Sequence, residues 1–110
     1  MACSITIQEA SAASIIVITG DADLNSADLL RAAIEKARSG GQRIVIDLTG
    51  ATLIDSRTIG VLAGCAQAQR SRGSTMPIVC EDPNILRLFS TIGLEREFDF
   101  FPTHEAALAA

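Results

Sequence analysis

Residues 43–64, RIVIDLTGATLIDSRTIGVLAG, decide how the rest of the chain is read. Ile44-Val45-Ile46 is too short an apolar run for a helix and is β-branched, so it reads as a buried strand. Gly50 is expected to break that strand, with a second apolar patch at Leu53-Ile54 before Asp55-Ser56. Ile59, Leu62, Ala63 and Ala66 then recur at the period of a helix with one buried face. Ser56 stands where a side-chain oxygen can accept an orphan N–H of the first turn, which makes it a candidate N-cap. A second reading stands beside the first. A helix N-terminus favours added negative charge, so a hydroxyl there is suited to carry a phosphoryl group.

Working outward toward the N-terminus, residues 4–9 read as a first strand, with Ile5 and Ile7 alternating, and Ala10 to Ala13 as a turn. Ser14 to Thr19 is a firmer strand that Gly20 should stop. Asp21 and Asp23 follow it. The next helix is expected to be capped by Asn25 or Ser26, with Asp28 in its first turn and Ala27, Leu30, Ile34 and Ala37 as its buried stripe. Ser39-Gly40-Gly41 ends it.

Toward the C-terminus, the Ser56 helix runs to about Arg72 and stops at Gly73. Met76 to Cys80 reads as a short strand, and Asp82-Pro83 caps and opens a helix burying Ile85, Leu88, Phe89 and Ile92. Gly93-Leu94 supplies a left-handed stop with a hydrophobic contact behind it. Phe98 to Phe101 is a candidate edge strand, and Pro102-Thr103 starts a terminal helix with Ala106, Ala107 and Leu108 inward. This order gives one α/β domain over residues 1–110, with a mixed sheet of about five strands and about four helices. Polar residues just beyond strand ends mark the site in such sheets, which points to Asp21, Asp23, Asp55 and Ser56.

A length of 110 residues with 48% hydrophobic content suffices for one core without staples. No segment is long and apolar enough to span a bilayer and no basic-then-apolar signal opens the chain, so a soluble, cytoplasmic protein is expected. The net charge is −4 and the arginines are scattered singly, which argues against nucleic acid as a partner. Cys3, Cys65 and Cys80 are an odd number without metal spacing and read as reduced thiols.

Several motifs together resemble the STAS domains, most closely the single-domain anti-sigma-factor antagonists. Gly20-Asp21-Ala22-Asp23 with Ala27 is similar to the family's Gly-Glu-Leu-Asp followed by Ala, and Ile46-Asp47-Leu48 to its hydrophobic-Asp-Leu strand. Asp55-Ser56 with Ile59-Gly60 resembles its Asp-Ser phosphorylation motif, and Phe89 to Leu94 with Phe98 its closing segment. The resemblance implies partner switching: the unmodified antagonist binds an anti-sigma factor that is also a serine kinase, phosphorylation of the motif serine separates the pair, and a phosphatase resets it. It makes Ser56 the phosphoacceptor, with Asp23 and Asp55 as polar neighbours. Arg57 and Thr58 depart from the small residue and glycine usual there. Thr58 is read either as a second acceptor or as a hydroxyl satisfied within its own helix, and Arg57 as a phosphate partner or an exposed first-turn cation.

Two other readings compete. One is a STAS scaffold subunit of a lipid-transport ATPase or signalling assembly, never phosphorylated. The other is a phosphoreceiver or Mg²⁺ enzyme built on Asp21, Asp23 and Asp55. A receiver wants a late lysine and the sole lysine is Lys36, while the sole histidine, His104, is expected on the surface. Neither catalysis by this chain nor a metal or other cofactor is expected.

Overall fold

The computed structural model describes residues 3–10, 13–41 and 43–109. In chain order these form β1 (Ser4–Ala10), β2 (Ala13–Ala22), α1 (Leu24–Ser39), β3 (Arg43–Ile54), α2 (Ser56–Ser71), β4 (Ile78–Val79), α3 (Pro83–Thr91), a 3₁₀ turn (Glu95–Glu97), β5 (Phe100–Phe101) and α4 (His104–Ala109). Among the described residues the strands make one sheet in the order β1-β2-β3-β4-β5. β1 runs antiparallel to β2, and every other pairing is parallel. The expected mixed α/β sheet is therefore present.

Two strand stops read from glycine are corrected. β2 continues through Gly20 to Ala22, and β3 continues through Gly50 to Ile54. Gly20 adopts a φ of 79°, open to glycine, at a register shift that lets the strand bend without ending. Gly50 serves a close approach instead. A Cβ there would lie 2.7 Å from Thr19 Cγ2 on the paired strand. Both strands thus reach the helix starts that follow them. Of the turn expected at 10–13, residues 11 and 12 lie outside the described residues, and Ala10 and Ala13 pair across β1 and β2.

Alternation sorts the strand residues onto two faces. Ile16, Ile18, Ile44, Ile46, Leu48 and Ile78 meet Leu30, Ile34, Ile59, Leu62, Ile85 and Phe89 from α1, α2 and α3. Phe89 is fully buried and packs edge-on against Phe98 and Phe100, each with ring centroids 5.1 Å away. Ile15, Val45 and Val79 face the other way, onto Ala107 of α4.

The α1 stripe is buried as expected, and Asp82 caps α3 with Pro83 in its first turn. Gly93 has a φ of 76°, and the Leu94 N–H donates to the Phe89 carbonyl at 3.0 Å, closing α3. Five burial expectations fall short: Ile92 and Leu108 are exposed, and Leu88, Ala63 and Ala106 are only half-buried, with α3 ending at Thr91 and α4 a six-residue helix touching the sheet through Ala107. His104 is not a free surface residue either. Its Nε2 lies 2.6 Å from Oδ2 of Asp47 on β3.

Candidate phosphoacceptor site

α2 begins where β3 ends, and the cap residue is Asp55 instead of Ser56. Asp55 has extended backbone (φ −88°, ψ 167°), and its Oδ1 accepts the Thr58 N–H at 2.8 Å. Both Asp and Ser are good capping types, and the one standing three residues before the N–H in need takes the role. That assignment releases Ser56. It becomes the first helical residue, exposed, with its hydroxyl making no hydrogen bond within the described residues. The helix N-terminus around it retains N–H groups without helical partners.

The surrounding backbone is tied down. The Asp55 N–H donates to the Ala22 carbonyl at 3.0 Å, stitching the end of β3 to the end of β2. At that β2 end, Ser26 Oγ accepts the Asp23 N–H at 3.1 Å and donates to Asp23 Oδ1 at 3.2 Å. Asp23 and Ser26 thus brace the start of α1, with Asp23 in the position before the helix, so Ser26 supports the cap without being it. The Asn25 side chain lies outside the described residues. Because α1 starts at Leu24, Asp28 falls in its second turn, away from the dipole role expected for it.

Thr58 is two residues from Ser56 and in the opposite environment. It is fully buried, and its Oγ1 donates to the Asp23 carbonyl at 3.4 Å, a weak bond that crosses to the β2–α1 junction. Neither sequence reading of Thr58 survives: the hydroxyl is not satisfied within its own helix, and it offers no accessible acceptor. Arg57 is half-exposed, with its guanidinium 3.7 Å from Asp28 Oδ1 on α1. That pair is worth little energetically and leaves the cation available.

Asp21 lies within β2 instead of beyond it. The Thr52 hydroxyl donates to its carboxylate, and that bond holds the carboxyl below the usual range. Asp21 therefore does not join Asp23 and Asp55 in one cluster. Among the described residues no three His, Cys, Asp or Glu side chains come together as a metal site. Burial pushes the thiols of Cys65 and Cys80 up, which makes them poor nucleophiles at neutral pH. Among the described residues no helix is long and apolar enough to cross a membrane.

Two leucines near this corner are exposed, one of them half of the apolar patch expected at Leu53-Ile54. Leu53, at the end of β3, is 51% exposed, and Leu29, next to Asp28 on α1, is 61% exposed. The available signal for Leu53 was strand alternation: buried Ile54 forces its neighbour outward.

An α/β domain with a solvent-facing serine at the start of its central helix is the class defined so far. The sequence profile of the STAS domain matches residues 4–107, and the chain belongs to that family. It is 28% identical over 106 residues to a Mycobacterium tuberculosis protein whose name assigns it provisionally as an anti-anti-sigma factor, covering 94% of this chain and 72% of that protein. An anti-sigma factor antagonist from Mycobacterium paratuberculosis superposes with a TM-score of 0.87 at 22% identity, over 98% of this chain and 92% of that one. The phosphorylated form of the Bacillus cell fate determinant SpoIIAA superposes with a TM-score of 0.73 at 18% identity, over 96% of this chain and 97% of that one.

Proposed function

We propose that the chain is an anti-sigma-factor antagonist that works by partner switching, with Ser56 as the phosphoacceptor. One observation carries the reading: Asp55 takes the cap, so the Ser56 hydroxyl stands exposed at the head of α2, without a hydrogen bond among the described residues. The family, and the names of the mycobacterial relative and of the structural neighbours, support the same reading. In its unmodified form the protein binds an anti-sigma factor that is also a serine kinase, with Leu29, Leu53 and the exposed Gly60 offering contact around the serine. The kinase transfers a phosphoryl group to Ser56 Oγ, and a phosphatase later removes it.

The charge logic of the switch follows from the neighbours. A phosphoserine brings about −1.5 to −2 charges at neutral pH. On the free protein these are hydrated, helped by the first-turn N–H groups and by Arg57, so the fold persists. Within a complex they must be desolvated beside Asp55, Asp23 and the kinase's own nucleotide phosphates. A loss of roughly 2–5 kcal/mol at such an interfacial group is ordinary, and about 1.4 kcal/mol already means a tenfold change in affinity. The test is to measure Ser56→Asp and Ser56→Ala against the cognate kinase, with circular dichroism as a fold control. Ser56→Asp should bind at least about tenfold more weakly than Ser56→Ala. Equal affinities would remove the switch and favour the scaffold reading.

A further inference from the structure

The two edges of the sheet are finished differently. At one end β5 is two residues long, bounded by Asp99 and Pro102. A short edge ended by a charge and a proline resists further pairing. At the other end β1 offers seven residues, Ser4–Ala10, and among the described residues no strand pairs with its outer side. Its register with β2 is unbroken, whereas the pairing of β2 with β3 carries two shifts. β1 holds no proline and no lysine. Its one charge, Glu9, is engaged within its own sheet by the Ser14 hydroxyl, which donates to it at 3.2 Å. The devices that blunt an edge are thus present on β5 and missing from β1.

The helix beside this edge has the same character. Toward α2, α1 is charged: Asp28 pairs with Arg57, and Arg31, Glu35 and Arg38 line a hollow with Gly60 and Gly64. By helical period Leu29, Ala33 and Lys36 lie on the opposite flank, which the strand order places toward β1. Leu29 is 61% exposed, and Ala33, Ile5 and Ile7 are half-buried against the main core.

An open edge recruits a strand, and the side chains opposite decide which strand fits. Alternate residues of β1 turn their N–H and C=O outward, so two copies related by a two-fold axis pair antiparallel only when centred on a residue. Centring on Thr6 sets Ile5 against the second copy's Ile7, Ser4 against its Gln8, and Thr6 against its own counterpart. Such matched apolar and hydroxyl pairs are favourable. Centring on Ile7 would oppose Ile5 with Glu9 instead. Residues 4–8 are uncharged, so two copies that each carry a net −4 meet where neither brings charge.

We propose that the outer edge of β1 pairs antiparallel with the same edge of a second copy of this chain, about a two-fold axis at Thr6, joining the two sheets into one. The α1 helices flank the seam with Leu29 and Ala33. A seam of one strand pair is small, so the dimer is weak and grows with protein concentration. β1 lies two strands from β3, which delivers Ser56, and the pairing does not depend on the role of that serine. Leu29 is shared with the contact surface proposed for the kinase, so the test reads Thr6, which that surface does not contain.

Sedimentation equilibrium of the full chain over a rising concentration series should show monomers passing to dimers. Thr6→Lys and Thr6→Glu, at an exposed position, should keep the wild-type melt and each weaken association about tenfold or more, because like charges meet at the axis. An equimolar mixture of the two variants should associate more tightly than either alone. Isotope-filtered NMR of half-labelled wild-type protein should show contacts between the Ile5 methyls of one copy and the Ile7 methyls of the other. A chain that stays monomeric, a dimer indifferent to both variants, a mixture that fails to recover association, or a dimer without the Ile5–Ile7 contacts would each overturn the proposal.

Discussion

Ile15 and Ile16 are consecutive residues of β2 and both are buried, but they serve different faces of the sheet. Ile16 enters a continuous core shared with α1, α2 and α3, closed by the Phe89, Phe98 and Phe100 rings. Ile15 enters a small cluster covered by the six-residue α4. What Ala107 cannot do for that cover by burial, His104 does by polarity, clamping α4 to Asp47 in the middle of β3. Asp47 is buried and bonded through both oxygens: the second accepts both the N–H and the hydroxyl of Thr49. One face is thus held by area and the other by a buried charge with well-placed donors. The candidate site sits at the rim of the first face, where the Asp55 N–H ties the end of β3 to the end of β2.

The sharpest way to break this contrast is Phe89→Ala. Emptying the centre of the larger core should cost about 3–5 kcal/mol in chemical denaturation. A cost below that of His104→Ala would reverse the ranking of the faces. His104→Ala leaves Asp47 with Thr49 alone and should cost about 1.5–3 kcal/mol, with faster hydrogen exchange confined to α4.

Acid titration sharpens the same point. Burial pushes the Asp47 carboxyl up, but the Thr49 hydroxyl and N–H together with His104 outweigh it, and the net result lies below the ordinary 3.8. A depressed carboxyl stabilises the fold above its unfolded pKa, and that contribution is lost as pH falls through the lower folded value. The wild-type protein should therefore lose stability below about pH 4, and Asp47→Asn should lose less over the same window. Parallel acid limbs for the two would remove Asp47 from the clamp.

The smallest effects belong to the rim. Asp55→Ala should cost about 0.5–2 kcal/mol through loss of the cap, whereas Ser56→Ala should stay within about 0.5 kcal/mol of wild type. Thermal melts of both variants decide it. A larger cost for Ser56→Ala would return the capping role to the serine.

These contrasts also explain what the sequence could reveal. Helix stripes were legible because Leu30, Ile34, Ile59 and Phe89 obey one period and one physical demand, burial. Glycine misled at Gly20 and Gly50, since a residue that ends a strand by conformational freedom also permits a bend or a close crossing, and only the neighbouring strand distinguishes them. The Asp47–His104 clamp joins residues 57 positions apart and leaves no periodic trace. At the site, strand ends pointed to Asp21, Asp23, Asp55 and Ser56; Asp21 lies inside β2, the backbone of the other three meets at one corner, and their division of labour was not legible. Two adjacent capping types compete for one N–H, and chain geometry settles the winner.

The burial of Thr58 makes the folded domain its own proofreader. A kinase meeting the unfolded segment Asp55-Ser56-Arg57-Thr58 would find two hydroxyls one residue apart from each other in reach, with no reason to prefer the first. Folding withdraws one of them to zero exposure and leaves the other in solvent. On the proposed reading, selectivity for Ser56 over Thr58 is therefore stored in tertiary structure and not in the local motif. On the role proposed for Ser56, the position of the label becomes a readout of conformation: phosphate on Ser56 alone is the pattern the native domain allows, and phosphate on Thr58 reports a chain that was open when the kinase found it.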